Sequence, residues 1–377
     1  MLAGALGIRL VLWVGRSVPT PAPAELMTAL THVQVMSSTD ILNSGFEMRF
    51  TLAKDKTGEY GLLANGALDP DARVAIGVLL GVTPEPLING VIYHHELTPS
   101  NEPGLSTLTV KGRDISVMLD LKPKDEKFEN QPDSVIVNRI LLDYAEHGIL
   151  PPHQVTPTSD VPLEIQRIPR QNETDLKFIQ RLAARNGFVF YFTPLTLGVT
   201  NAYWGPQIRL GLPQPALSIN LGASTNVKSL NFANDALGPE EAEGSFVEPI
   251  TKTSIRIPKL PSLQVPPLVS SPRPARRTTR LRCTAPQNPA QAATTALAAA
   301  TRAGEPVSAM GELETVRYGH VLRARQLVGV RGAGHAYNGN YYVRDVTHVL
   351  KPREGSYTQS FTLTREGTGA LLPVVRP

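Results

Sequence analysis

The chain never runs far without a glycine or a proline. Its 30 glycines and 33 prolines amount to about one residue in six, against roughly one in eight in an average chain. Proline breaks helices and withholds a donor from a sheet ladder, and glycine weakens the interior of either element. Long helices and coiled coils are therefore excluded, and the glycines have no collagen-like period. What remains is a fold of short strands and turns. Apolar residues make up 41% and charged residues 19%, enough for packed cores and too apolar for a disordered chain. The 377 residues correspond to on the order of two or three domains.

The formal net charge of +4 does not by itself call for nucleic acid or a membrane. Cys283 is the single cysteine, which excludes an intrachain disulfide and a cysteine-based metal cluster. No apolar run approaches the ~18–20 residues of a membrane-spanning helix, so the chain reads as soluble. Residues 1–14 are apolar and small residues follow near Ala22 and Ala24, as in a secretory signal. No basic segment precedes that run, however, and Arg9 interrupts it. A strand over Ile8–Val14, stopped by Gly15 and the prolines beyond, is the better reading.

Over residues 45–53 the chain alternates, with Phe46, Met48, Phe50 and Leu52 on one face and Glu47, Arg49 and Thr51 on the other. A period of two is a half-buried strand. Further strands are expected at Val33–Val35, Arg73–Leu79, Pro86–Leu97 and Ser106–Lys111, an antiparallel meander over residues 1–120. The texture changes in 121–200. Asp133 is placed to cap a helix running to about His147, with Gly148 as its stop. A second helix is capped by Asn172 or Thr174, carries Asp175 in its first turn where the dipole favours an anion, and stops at Asn186-Gly187. Leu176, Ile179, Leu182 and Ala183 form its buried stripe, and Phe188–Phe192 follows as a strand. This is a small α/β insertion.

Strands resume at Gln207–Leu210, Leu217–Leu221 and Asn226–Phe232, and those of 201–235 are expected to return to the first β unit. Residues 236–285 read as a connector, acidic and then rich in proline and arginine. From Pro249 to Gly304 there is no Asp or Glu, while Lys252, Arg256, Lys259, Arg273, Arg276, Arg277, Arg280, Arg282 and Arg302 supply nine positive charges. A charge run of this kind usually serves solvation or docking, here onto an acidic partner such as the stretch 235–248. Pro289 opens an alanine-rich helix ending at Gly304, and a second β unit over 286–377 closes the chain.

Chemistry is sparse. His94-His95-Glu96 looks metal-like, but neighbours on a strand point to opposite faces and no third ligand is spaced to join them. The basic surroundings of Cys283 would lower a thiol pKa, which leaves a hydrolase with Cys283 as nucleophile as one alternative, though no base is nominated. A DNA-contacting role for Arg273–Arg282 is another, weakened by the lack of interleaved aromatic residues. Gly329–Gly334 lies between strands and reads as a hairpin loop, while Glu240-Glu241 reads as solvated. No catalytic site, cofactor site or metal site emerges.

Several motifs carry a resemblance. Leu87–Ile92 contains Gly90 and precedes a Gly-Arg-Asp turn at Gly112–Asp114. Asn172–Ile179 contains Asp175 and Phe178 and is followed by Asn186-Gly187-Phe188. Tyr203-Trp204-Gly205-Pro206 reads as a turn, and Tyr337–Val343, with Gly339 and Tyr342, leads to Val346-Thr347-His348. In this order, and along with the opening strand and proline-rich continuation at Ile8–Leu26, they resemble the tail hub proteins of contractile injection systems. These are the phage late control protein D family and the hub half of VgrG-type spike proteins.

The resemblance implies a mainly β fold with an α/β insertion: two related tube-like β-barrel domains plus a small α/β domain, arranged as a pseudo-sixfold ring in a homotrimer. It implies a non-catalytic baseplate hub that adapts a sixfold inner tail tube to a threefold central spike. Gly90, Asp175, Phe178, Gly187, Gly205, Pro206, Gly339, Tyr342 and His348 would be structural positions. The partners implied are the tube protein, a separate trimeric spike and other baseplate proteins, with neither membrane nor nucleic acid. A spike on its own chain is expected because the sequence stops at Pro377, soon after the last strand. Assembly would take place in the bacterial cytoplasm, into the baseplate of a phage tail or phage-tail-like particle.

Overall fold

The structure, a computed structural model, describes residues 7–371 apart from 55, 57, 82, 103, 163–167, 248–251, 258–263, 282–288 and 303–304. Lys259, Arg282, Cys283 and the expected helix stop at Gly304 lie outside the described residues. The first part of the chain holds β1 (Arg9–Gly15), β2 (Thr20–Pro21), α1 (Ala24–Ala29), β3 (Leu30–Ser38), β4 (Gly45–Leu52), α2 (Gly61–Ala64), β5 (Arg73–Leu80), β6 (Thr83–Thr98) and β7 (Ser106–Asp114). The alternation read in β4 is the burial observed, with Phe46, Met48, Phe50 and Leu52 inside. Gly112-Arg113 is not a turn. Both residues lie within β7, where Gly112 faces Phe46 of β4, and Asp114 ends the strand by accepting from the Ser116 amide.

The middle holds β8 (Pro123–Lys127), α3 (Asp133–Leu142), β9 (Gln154–Val155), β10 (Arg170–Thr174), α4 (Asp175–Asn186), β11 (Val189–Thr196) and β12 (Val199–Gly205). Its apolar core joins Ile136, Ile140 and Leu141 of α3 to Leu176, Ile179 and Leu182 of α4 and Trp204 of β12. Asp133 does not cap α3. The cap position is Pro132, and the Asp133 carboxylate is instead buried against Arg185 and the Asn186 amide of α4. Thr174 occupies the cap position of α4, but its hydroxyl accepts from no amide of the helix and donates to Asp120 instead. Tyr203–Gly205 is strand, not turn.

The last part holds β13 (Gln214–Ser218), β14 (Val227–Asn234), β15 (Glu240–Glu243), β16 (Ser245–Val247), β17 (Ser254–Arg256), β18 (Val269–Pro272), β19 (Arg277–Arg280), α5 (Pro289–Arg302), β20 (Val307–Glu314), α6 (Thr315–Tyr318), β21 (Leu327–Arg331), β22 (Gly339–Lys351), β23 (Ser356–Arg365) and β24 (Gly367–Ala370). Two expectations fail here. Residues 207–210 form no ladder, and Arg209 is drawn inward to two carboxylates. Moreover, β13 and β14 do not return to the first unit: β13 pairs with β21 and β14 with β20. The basic connector is also not free of structure. Its β19 lies parallel to acidic β15, with Arg277 3.6 Å from Glu240, and Arg256 is 2.8 Å from Glu243. Opposite charges across one ribbon explain why a chain poor in apolar residues is held there, and Glu240 is engaged rather than simply solvated.

One 13-stranded sheet runs β14-β20-β23-β22-β3-β4-β7-β6-β5-β1-β2, with β21 also on β22 and β13 on β21. The β22–β3 ladder, from Asp345 opposite Ser38 to Leu350 opposite Val33, makes this single sheet out of the two ends of the chain. Two cores lie along it, one centred on Val33, Met48, Phe50 and Ile76, the other on Leu313, Val328, Val343 and Leu363.

Candidate functional site

The sheet contains the same construction twice. β3, β4, β5, β6 and β7 correspond, in chain order and in antiparallel pairing, to β14, β20, β21, β22 and β23. The irregularities match as well. A bulge between Leu30 and His32 in β3 recurs between Val227 and Ser229 in β14. One between Ile92 and His94 in β6 recurs between Val343 and Asp345 in β22. Ahead of β5 and of β21, a non-glycine residue takes a left-handed conformation, Asp71 at φ 73° and Arg325 at φ 69°. The amide of each donates to the corresponding bulge strand, Asp71 to Ile92 O at 2.8 Å and Arg325 to Val343 O at 2.7 Å. Bulges and left-handed residues are local costs that two unrelated sheets would not place at the same points.

Between these two modules lies the seam where functional side chains gather. Arg325 leaves its left-handed turn and directs its guanidinium into the seam. There it donates to Ser38 O on β3, to Phe192 O on β11 at 2.7 Å, and stacks 4.2 Å from the Tyr191 ring centroid. One cation thus ties the second module to the first and to the insertion. Beside it, burial pushes the Asp114 carboxyl up to about 6, opposed by hydrogen bonds from Ser116 and by the charge of Arg325. Ser38 donates to the Asp345 carboxylate across the β22–β3 ladder. Arg323 donates to Glu85 at 2.8 Å and to Pro86 O at 3.0 Å on β6. A cleft of about 450 Å³ opens along this seam, lined by Tyr191, Tyr203, Leu210, Arg323, Arg325 and His348 among others.

The insertion is clasped to the first module by Asn89. Its side-chain amide donates to Thr196 O, Val199 O and the Thr200 hydroxyl, and its carbonyl accepts from the Gly198 amide at 2.9 Å. Arg73 reaches the same turn through Gly198 O. In the second module Arg209 is wholly buried between Glu305 and Glu366, and the Glu366 carboxylate also accepts from the Leu268 amide.

The residues singled out from sequence are distributed rather than gathered. Tyr342 and His348 flank the seam on β22. Tyr342 is fully buried, and buried His348 shares a 2.8 Å hydrogen bond with Tyr357. Desolvation holds the His348 imidazole down to about 3, so it is neutral. Gly339 begins β22 at φ 118°. Gly90 lies on β6, where a Cβ would come within 2.1 Å of Arg113 O. Asp175 is buried in the insertion and accepts from Tyr144 and Gln171, each at 2.6 Å, with Lys124 at 2.7 Å. Phe178 stacks on Phe128 with centroids 5.5 Å apart. Gly187 closes α4 at φ 68°, with α5 so near that a Cβ would meet Ala298 Cα at 2.8 Å. Gly205 ends β12 against the Thr156 hydroxyl, and Pro206 O accepts from Tyr203. His94 and His95 stand on β6, and no group of three metal-ligating side chains occurs among the described residues. Arg325, Asn89, Arg73 and Arg209 were not legible from sequence, although Asn89 stands within the Leu87–Ile92 motif.

No family model matches the sequence, and no curated protein does. Solved structures do match. A tail protein from Neisseria meningitidis MC58 aligns over 96% of this chain and 98% of its own, with TM-score 0.63 and 13% identity. The 43 kDa tail protein of prophage MuSo2 from Shewanella oneidensis aligns over 95% and 98%, with TM-score 0.59 and 14% identity. An E. coli component of the type VI secretion system, described as structurally similar to the T4 bacteriophage tail proteins gp27 and gp5, aligns over 92% of this chain and 77% of its own, with TM-score 0.54 and 16% identity. The resemblance read from the motifs is therefore met in three dimensions: this chain shares the fold of these phage tail and type VI secretion proteins.

Proposed function

We propose that this chain is a non-enzymatic structural hub of a contractile tail or tail-like injection system. Three copies would form a ring that adapts a sixfold inner tube to a threefold spike. The observation that carries this reading is the duplicated module. Two matched modules per chain allow three chains to present six near-equivalent units on one face, while one insertion per chain leaves the ring threefold elsewhere. The matching structures are of tail proteins and a secretion-system component, which supports a structural role.

We assign β1–β7 to the first module, β8–β12 with α3 and α4 to the insertion, and β13–β23 to the second module. The nine motif positions then serve packing: Gly90 and Gly339 in the two modules, Asp175, Phe178 and Gly187 in the insertion, Gly205 and Pro206 at its exit, Tyr342 and His348 along the seam. The particle would be the baseplate of a phage tail or phage-tail-like machine, assembled in the bacterial cytoplasm. Mixing the purified chain with the tube and spike proteins encoded near it tests the adaptor role. A complex containing all three, with the spike in a one-to-one chain ratio, is expected; a chain that binds neither would overturn it.

A further inference from the structure

The repeat has an unmet half. Within the chain, β22 turns away from β21 at its bulge, and Asp345–Leu350 then pairs with β3. Its counterpart β6 likewise turns away from β5 at its bulge, the last β5 partner being Val91. Beyond it, Tyr93–Thr98 pairs only with β7, and among the described residues its other backbone edge makes no ladder. The counterpart of β3 is β14, which among the described residues pairs only with β20 and makes no ladder on its other edge. One copy therefore carries both halves of a second β22–β3 type ladder, one on β14 at the end of the sheet path and the other on the part of β6 beyond its last β5 partner.

We propose that β6 of one copy pairs antiparallel with β14 of the next, closing copies head to tail. The inference rests on the ring reading above and names its interface. Carrying the register of the intrachain ladder across the two matched bulges places His94 opposite Asp235, where Asp345 stands opposite Ser38. It places Leu97 opposite Phe232, where His348 stands opposite Val35. The chemistry fits this register. An imidazole faces a carboxylate in place of a hydroxyl facing a carboxylate, and two apolar side chains meet on the core side of the sheet. The exposure fits as well. Leu97 is 39% exposed, whereas its β22 counterpart His348 is 3% exposed. A heterologous contact of this kind generates a ring when the rotation closes, and it hides two edges that would otherwise template aggregation.

Paired cysteines test the register. In a Cys283→Ser background, His94→Cys with Asp235→Cys should form disulfides between copies on mild oxidation. Species of two and three chain masses should appear and vanish on reduction. The two single variants mixed together should yield the two-chain species only. Ser38→Cys with Asp345→Cys, at the intrachain ladder, controls for oxidation. A second readout needs no disulfide: Leu97→Glu should raise the concentration needed for assembly at least tenfold, while Leu105→Glu, exposed but off this edge, should not. Copies that remain trimeric by native mass, with the control oxidised and neither effect seen, would overturn the β6–β14 pairing while sparing the ring. A chain that is a monomer at every concentration would remove the ring, and this interface with it.

Discussion

The two modules share strands, order, bulges and left-handed turns, yet they are closed off differently. The first passes into the insertion through Ile115, which packs with Ile41, Val91 and Leu119 in an apolar core. The residue that follows the corresponding strand of the second module is Glu366, held with Glu305 around buried Arg209. At the left-handed turn the contrast recurs: Asp71 is exposed, while Arg325 reaches two separate elements, β3 and β11. The backbone plan is thus common to both, and the side chains record what each module must hold. Where an insertion supplies apolar cover, apolar residues suffice; where three pieces of one chain converge, arginine supplies several donors in a fixed fork.

This contrast can be broken at specific points. Arg209→Met leaves Glu305 and Glu366 buried together without their cation, and about 3–5 kcal/mol of stability should be lost in chemical denaturation. Isoleucine at Ile115 has no such partner to abandon, so Ile115→Val should cost only about 1 kcal/mol. Arg325→Met removes charged donors from Ser38 O and Phe192 O and should cost about 2–3 kcal/mol, whereas Asp71→Asn at the matching turn should stay within about 0.5 kcal/mol. Unequal costs confirm that only one turn acts as a tie. Equal costs would mean that backbone geometry alone sets both.

A glycine on each module sharpens the comparison further. A Cβ at Gly112 would stand 2.1 Å from Phe46 Cζ, and one at Gly311 2.6 Å from Phe361 Cζ. Both rings lie across a glycine on the neighbouring strand, so Gly112→Ala and Gly311→Ala should each cost about 1–3 kcal/mol by overpacking, the former more.

Titration separates the modules as well. His348 has its folded pKa depressed to about 3, so its contribution is full above pH 6.5 and is lost as pH falls. Asp114 has its folded pKa raised to about 6, so its contribution is full below about 3.8 and is lost as pH rises. Between pH 4 and 6 the two slopes oppose, each by up to about 1.4 kcal/mol per pH unit. His348→Gln should leave stability falling with rising pH across that window, and Asp114→Asn should leave it rising. The smallest effect belongs to the exposed ribbon: Arg277→Ala should cost at most about 1 kcal/mol and less at high salt.

Much of this architecture was legible in the residues. Alternation in β4, the dipole-favoured Asp175 and the glycine stop of α4 are local signals, and each led to the element observed. The repeat was implied by the resemblance to tail hubs but was not legible in the residues themselves, because equivalent positions carry different side chains: Phe46 matches Ala309, and Asp71 matches Arg325. Its marks are bulges and φ angles, which leave no residue signature when neither residue is glycine. Residues 207–210 misled because alternating apolar side chains read as a strand, while Arg209 is buried and that stretch joins no ladder. The destinations of β13 and β14 were missed for a related reason, since pairing partners far apart in sequence are not set by local pattern.

Native mass spectrometry of the purified chain over a range of concentrations bears most directly on the central claim, that two matched modules per chain close into a ring of three. The ring predicts a dominant species at three times 40.8 kDa, with no larger open series. A chain found only at 40.8 kDa, or a ladder of lengths without closure at three, would contradict it.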